Sequence, residues 1–412
     1  MKALKERPRL GILLLAGAML AVVLVIAGCG GGSSSSGGGT ESSGETKPAG
    51  EANEGGEANE GGGESSSSGV AKAEEEVERL NVTEGLEWPE PPQKPFKAGH
   101  HTAAIIACGL AGEGCKDQAE AAQEAFKAAG WTTTPIGDGE FNPATQGNLI
   151  QQAIQENVSA IVLVAVEPPT VKSAVDAAIA KHIPLDCMGC ATPPEYTENK
   201  SVIDAGVDPE KAGEALGYWI VAHSGGKGKT ISFVDHAFED VVLHNTGTKK
   251  VVEELCPECE YEEISFATAE LEKPGPPVFS AALSSNPAGS VEWIDSNSAT
   301  YGTPMVKTAL QQGREELKVV GTETTPEFLA EMEKSEVANA LVYYPFAYEG
   351  WAAADNMIRE VNHQPTWETA DLPMALITKE TVAPYLEQSP KIYEEPGFEF
   401  RPMFEKLWGV GG

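Results

Sequence analysis

The sequence predicts an α/β fold of two lobes, each a parallel β-sheet flanked by helices. Three observations carry this reading. Short apolar runs alternate with stretches of helical periodicity from Thr102 onward, the rhythm of βα units. The run 160–166 reads Ala-Ile-Val-Leu-Val-Ala-Val with no polar alternation, so both of its faces are expected to be buried, as in a parallel sheet. The rhythm then breaks at a Pro-rich stretch, 192–195, and restarts, so the units fall into two blocks.

In the first block, 102–108 is an apolar strand, and Asp117-Gln118-Ala119-Glu120 reads as a capping box. The helix after it carries Ala122, Phe126 and Ala129 on one face and stops at Gly130. A strand over 131–136 follows. Asn142-Pro143 then opens a helix with Leu149, Ile150, Ala153 and Ile154 facing inward. The strand 160–166, a helix over 170–181 and the strand Ile183-Pro184-Leu185-Asp186 complete the block. In the second block, Asp208-Pro209 opens a helix that runs to His223. Strands at 230–235, 261–266, 290–295 and 318–321 alternate with helices at 241–255, 277–285 and 304–312.

The chain has 412 residues and a formal net charge of −33. Nucleic-acid affinity comes from Lys and Arg neutralising phosphates, so such acidity argues against that class of partner. Lys2, Lys5, Arg7 and Arg9 precede an apolar run, 10–27, and Ile26-Ala27-Gly28-Cys29 resembles a bacterial lipobox. The resemblance implies cleavage before Cys29 and a lipid on its sulfur. An uncleaved membrane anchor is the alternative, although the run is short of the ~20 residues a span requires. Either way the protein is expected to work outside the cytoplasm, tethered to a membrane. From Gly30 to about Glu78 the chain is mostly Gly, Ser and Glu, with Glu-Ala-Asn-Glu-Gly-Gly starting at Glu51 and again at Glu57. A stretch this polar is expected to stay disordered as a stalk, ended by Trp88-Pro89-Glu90-Pro91-Pro92.

The order of several short stretches is similar to the sugar-type periplasmic binding proteins, the ribose- and galactose-binding relatives within the type I binding-protein family. The first block contributes 125–131 (Ala-Phe-Lys-Ala-Ala-Gly-Trp), Asn142-Pro143, Gln151-Gln152-Ala153-Ile154, Ala160-Ile161-Val162-Leu163 and 177–184. The second contributes 319–326 (Val-Val-Gly-Thr-Glu-Thr-Thr-Pro), 337–343 and Glu349-Gly350. The likeness covers roughly 100–388. It implies two Rossmann-like lobes joined by three hinge crossings, placed near Ile203, Tyr343 and Pro373. It also implies a receptor, most simply a monomer without a cofactor, that closes on a small sugar-like solute and delivers it to an ABC importer permease. The chain is thereby divided into a signal peptide (1–28), a stalk (29–96), an N-terminal lobe (97–203 plus 344–373), a C-terminal lobe (204–343 plus 374–388) and an extension (389–412).

Ligand positions carry over one at a time. The family Asp after the Val-Val-Gly strand falls on Glu323; a solvated loop acid is the alternative. The family Asn-Asp falls on Ser296 and Asn297, residue types that also serve turns and caps. The family Arg falls on His244, shorter and able to be neutral. Tyr343 takes a polar hinge position, with core packing as the alternative. The Asp-Arg after the fourth strand falls on Gly189-Cys190, which leaves nearby Asp186 as the candidate. The loop 109–115 holds none of the aromatic residues with which many sugar receptors stack on their ligand.

Six further cysteines group as Cys108 with Cys115, Cys187 with Cys190, and Cys256 with Cys259. Three local disulfides are the simplest arrangement for an exported chain, and bonds between the loops holding the first two pairs are an alternative. The two Cys-Xaa-Xaa-Cys pairs fall in different lobes, which argues against a shared zinc. Prolines rather than a helix follow Cys190, unlike a thioredoxin-type site. No hydrolase, zinc-protease or phosphate-loop motif appears, so no enzyme is expected. A ligand-presenting sensor and a surface thiol oxidoreductase remain as other readings. A transcription regulator would need a basic helix-turn-helix at the N-terminus. The aromatic extension carries Phe398, Phe400, Phe404 and Trp408, and either packs on the body or docks a partner.

Overall fold

The computed structural model describes residues 61–81, 86–268, 277–387 and 399–410, with side chains from residue 67 onward. The signal segment, Cys29 and the first part of the stalk lie outside the described residues, as does 389–398 of the extension. The first lobe is built from β1 (Thr102–Ala107), α2 (Glu113–Ala128), β2 (Thr132–Thr133), β3 (Gly137–Asp138), α3 (Pro143–Gln155), β4 (Ala160–Val164), α4 (Lys172–Ala180), β5 (Leu185–Met188), α5 (Pro194–Thr197) and β6 (Ile203–Ala205), with α1 (Gly61–Leu80) preceding it in the chain. The second holds α6 (Pro209–His223), β7 (Gly228–Val234), α7 (Glu239–Leu255), β8 (Cys259–Ser265), α8 (Pro277–Ser285), β9 (Trp293–Asp295), α9 (Ala299–Gln311), β10 (Lys318–Thr322), α10 (Pro326–Lys334) and β11 (Ala338–Tyr343). The chain ends with α11 (Phe346–Val361), β12 (Ala375–Thr378), α12 (Ala383–Glu387) and α13 (Arg401–Trp408).

The first sheet runs β2-β1-β4-β5-β6, with β3 also on β1, and every pairing is parallel. All five residues of β4 are buried, as expected for a central strand with helices on both faces. The second sheet runs β12-β11-β10-β9-β7-β8, parallel except for the antiparallel β11–β12 pair. Asn142 and Asp208 cap α3 and α6 through their side chains, each with Pro at the first helical position, where its missing N–H costs nothing.

The chain passes between the lobes three times. β6 pairs with β5 through Ala205, so the first passage begins at Gly206. The second follows Tyr343, because α11 packs on α2 and the first sheet while β11 belongs to the second. The third lies beside the first: Gly206 N donates to Thr369 O at 3.2 Å, and Leu372 N to Gly206 O at 2.8 Å.

Several local expectations are corrected. α2 starts at Glu113 behind Gly112, so Asp117 sits inside the helix and makes no capping box. The strand expected at 131–136 is two short pieces, β2 and β3, on either side of Pro135. α9 starts at Ala299, capped by Ser298, and contains Pro304 rather than beginning there.

The expectation of disorder through residue 96 also fails. α1 is a helix whose Ala73, Val77 and Leu80 are buried, with Val70 packed beside them. These positions recur every three or four residues and face α6 and α7. At Gly69 an added Cβ would lie 1.9 Å from Leu255 O, so only glycine permits this approach. Residues 88–92 lie on the first lobe: the Trp88 ring packs tilted against Tyr348 at 4.7 Å, and Arg359 Nη2 donates to Pro92 O at 3.1 Å. The C-terminal α13 packs there too. Trp408 stacks on Trp351 at 5.3 Å, and its Nε1 donates to Asp355 Oδ1 at 2.7 Å. Asp355 also accepts from Arg359 Nε at 2.5 Å and from Trp367 Nε1 at 2.8 Å. Asp355 and Arg359 are both fully buried.

Candidate functional site

In each lobe the loops beyond the carboxyl ends of the parallel strands face the other lobe, the edge at which open α/β sheets hold ligands. The space between them has two parts. A small cavity of about 40 Å³ is lined by Phe141 and Cys115 of the first lobe and by Phe238, His244, Asn297 and Glu323 of the second. Toward the hinge the cleft opens to about 600 Å³, where Glu167, Cys190 and Asp204 face His236 and Glu239. Residues 236, 237 and 239 line the larger part and 238, 240 and 241 the smaller, so the start of α7 separates them.

Glu323 follows β10 with φ of 65°, a conformation non-glycine residues rarely adopt. Its Oε2 accepts from Ser298 Oγ at 2.6 Å. A Cβ on Gly114 would lie 3.0 Å from that oxygen, so a bare backbone in the first lobe makes room for the acid of the second. Enclosure, then Asp240 and Asp117, push its carboxyl up to about 8. Asn297 is fully buried at φ of 58°. Its Nδ2 donates to Ser232 Oγ at 2.9 Å and to Phe233 O at 3.0 Å, while Oδ1 has no partner. His244 is buried, with Nε2 2.5 Å from the Tyr344 hydroxyl and Nδ1 3.5 Å from Thr322 Oγ1. Burial lowers its pKa to about 3, so the imidazole is neutral and cannot replace the positive charge of a guanidinium.

The other three candidates do not reach the cavity. Ser296 Oγ lies 3.0 Å from Ser298 O and 2.8 Å from Val320 O, where it ties the loop after β9 to β10. Tyr343 ends β11 inside the core of the second lobe, 5.2 Å from Tyr385, and it is Tyr344 that reaches His244. Asp186 is fully buried within β5 with neither oxygen hydrogen-bonded; burial, with Asp204 and Glu349 nearby, raises its pKa well above the carboxylate range.

Sequence reasoning missed the first lobe's share. Phe141 supplies an aromatic wall from the loop after β3 rather than from the loop after β1, and meets Phe238 edge-on at 6.4 Å. Glu167, 5% exposed, is the first polar residue beyond the apolar run of β4, a strand-end position that could have marked it. Backbone N–H groups of Glu239 and Asp240 lie near it, but neither oxygen closes a hydrogen bond of good geometry. Burial and Asp240 push its carboxyl up to about 9. Asp240 itself is raised to about 7, chiefly by burial.

The cysteines pair locally. Cα separations of 6.1 Å for Cys108–Cys115, 5.7 Å for Cys187–Cys190 and 5.3 Å for Cys256–Cys259 suit disulfide geometry. Cys115 and Cys190 line the two parts of the cleft, so two pairs hold loops that border it. Among the described residues, no group of three or more His, Cys, Asp or Glu is placed to hold a metal ion, and no helix is long and apolar enough to cross a membrane.

Residues 105–365 match the family described as periplasmic binding protein domain. No protein of curated function matches the sequence. Among solved structures, the chain is similar to an ABC sugar transporter subunit from Rhodobacter sphaeroides, at 22% identity and a TM-score of 0.60, covering 68% of this chain and 98% of that one. A carbohydrate transporter from Acidothermus cellulolyticus in complex with myo-inositol superposes with a TM-score of 0.62 at 17% identity, covering 72% and 100%. A 5-methylthioribose transporter solute binding protein from Thermotoga lettingae gives 0.63 at 15%, covering 77% and 99%. At these identities the likeness concerns the fold.

Proposed function

The chain belongs to the periplasmic binding protein domain family, and from that premise we propose that it captures a small polar, sugar-like solute between its lobes and delivers it to an ABC importer. The observation that supports this most is the unpartnered Asn297 Oδ1, fully buried in the wall of an interlobe cavity. Burying an amide oxygen without a hydrogen bond costs ~1–3 kcal/mol, a cost that a ligand donor removes. The adjoining hinge, two passages hydrogen-bonded side by side, allows the lobes to part and close. The solved relatives holding myo-inositol and 5-methylthioribose favour polyhydroxy ligands. Family membership places the protein outside the cytoplasm. In this reading a lipid on Cys29 tethers it, the residues before α1 act as the stalk, and it works as a monomer. The three cysteine pairs are disulfides. Glu323, Asn297 and His244 contact the solute from the second lobe, while Ser296 positions the loop that carries Asn297.

Thermal unfolding of the full chain against pentoses, hexoses, polyols and nucleosides tests the proposal. A ligand bound only by the native state adds ~2.7 kcal/mol at a hundredfold excess over its dissociation constant. A raised midpoint with one class supports the reading and names the solute. No rise with any class removes the sugar-like assignment.

A further inference from the structure

We infer that the solute carries at least one protonated amine, as an amino sugar or amino polyol does, and that the cleft discriminates against the neutral sugar. The inference rests on the solute-receptor reading and narrows its ligand.

The argument starts from what the cleft has left to offer. A neutral sugar presents hydroxyls that both donate and accept, and suits a site offering both. Here four side chains that could donate in the small cavity are already engaged. The Thr268 hydroxyl donates to Asp235 Oδ2 at 2.6 Å and lies 2.9 Å from the Tyr301 hydroxyl, and Ser298 donates to Glu323 at 2.6 Å. His244 is neutral, with both ring nitrogens facing hydroxyls. In the small cavity the buried atoms left without a partner, Asn297 Oδ1 and Asp240 Oδ1, are both acceptors; in the larger part the Glu167 carboxyl and the Thr192 hydroxyl have none either. The Phe233 carbonyl beside Asn297 can only accept, so the amide nitrogen must point there and the oxygen is the free end. That observation is independent of the carboxylates.

The charges point the same way. Glu167 and Asp204 from the first lobe and Glu239, Asp240 and Glu323 from the second line the two parts of the cleft, and no Lys or Arg lines either among the described residues. Facing carboxylates repel one another across a closing cleft unless they hold protons or a cation. An ammonium supplies three donors, no acceptor and one positive charge. The small cavity, about 40 Å³, has room for such a head group and little more, between the rings of Phe141 and Phe238, which attract cations. The part of about 600 Å³ on the hinge side then takes the polyhydroxy body. The amine thus takes the place of the protons that these acids hold in the empty cleft.

Isothermal titration of the full chain with D-glucosamine, D-glucose and N-acetyl-D-glucosamine, and with D-galactosamine against D-galactose, tests this. The expected result is that an amine binds at least ~10-fold more tightly than its neutral partner, the size of effect expected for a charge-assisted hydrogen bond, and that acetylation abolishes the gain. Glu167→Gln should lower amine affinity about tenfold without lowering the unfolding midpoint, because Glu167 makes no hydrogen bond of good geometry for the fold to lose. A neutral sugar that binds as tightly as its amine overturns the inference and leaves the receptor reading standing. Binding of neither member of any pair also overturns it, and the receptor reading is then decided by the wider solute panel.

Discussion

The two lobes share a βα architecture but present their cleft-facing residues differently. In the second lobe, Asn297 stands two residues after the end of β9 and Glu323 one after the end of β10, each at positive φ, and they are tied down by Ser232, Phe233 and Ser298. In the first lobe the contributions come from farther along the loops: Phe141 after β3, Cys115 inside α2, Glu167 past β4. The first lobe is also wrapped from outside by residues 88–92 and α13 around Arg359 and Asp355, whereas α1 covers the second lobe at α6 and α7. A strand end is a single position that a chain pattern can mark, and a loop is not. The second lobe's site can therefore be read from spacing, whereas in the first only Glu167, the first polar residue after the β4 run, carries such a mark.

The largest expected effect is on the response to pH. Glu113 and Glu349 of the first lobe are raised to about 8, and Asp117 to about 6. In the second, Glu323 reaches about 8, Asp240 about 7 and Asp295 about 6. A carboxyl whose folded pKa lies above its unfolded value keeps a proton that the unfolded chain has released. The stability it contributes is full below pH ~4 and is lost as pH rises through about 8, at ~1.4 kcal/mol for each unit by which a fully buried group is shifted. The empty protein should thus lose several kcal/mol between pH 4 and 8.5, followed by denaturant midpoints. A flat or rising profile would break the picture of protonated acids between the lobes.

Next in size is Asp355→Ala, which leaves the Arg359 guanidinium buried beside Trp367 and Trp408 without its carboxylate. Removing one partner of a buried pair costs ~3–5 kcal/mol. The loss should appear in calorimetry as a fall in the first lobe's transition and as easier proteolysis near residue 400. A cost below ~1 kcal/mol would mean that the wrapping of the first lobe is incidental.

A smaller effect tests the other covering. Gly69→Val places side-chain atoms against the Leu255 carbonyl and must push α1 from α7, at ~1–3 kcal/mol. Hydrogen exchange in α1 should quicken while β4 stays protected. Unchanged exchange would show that α1 contributes nothing to the second lobe.

How much was legible follows the same division. The βα rhythm was readable because a buried parallel strand such as β4 is locally apolar and a helix such as α6 announces its start with Asp208-Pro209. α1 was hidden because Val70, Ala73, Val77 and Leu80 lie thinly among glycine, serine and glutamate, and composition outweighed period. Glu323 and Asn297 reached the cleft because residue type and strand-end position agreed. Phe141 escaped notice because nothing in its own stretch says that Gly109 and Gly112 leave space for its ring, which an added Cβ would meet at 2.7 and 3.1 Å.

The smallest effect sharpens the contrast between the lobes most directly. Asp186 and Asn297 are both fully buried and both hold an acceptor without a partner, yet only Asn297 lines the cavity. Asp186 is surrounded by Asp204 and Glu349 within the first lobe, and its raised pKa keeps it protonated. Asp186→Asn exchanges one neutral group for another of nearly equal size. Solute affinity should stay within about twofold, and stability within ~1 kcal/mol near pH 6, with a relative gain for the variant as the pH rises and wild-type Asp186 is forced toward its charged form. Asn297→Ala should do the opposite: it removes the acceptor that faces the cavity together with the donor to the Phe233 carbonyl, and weakens solute binding by ~1–3 kcal/mol under the same titration. Equal losses of affinity in the two variants would place Asp186 in contact with the solute and extend the first lobe's site along β5.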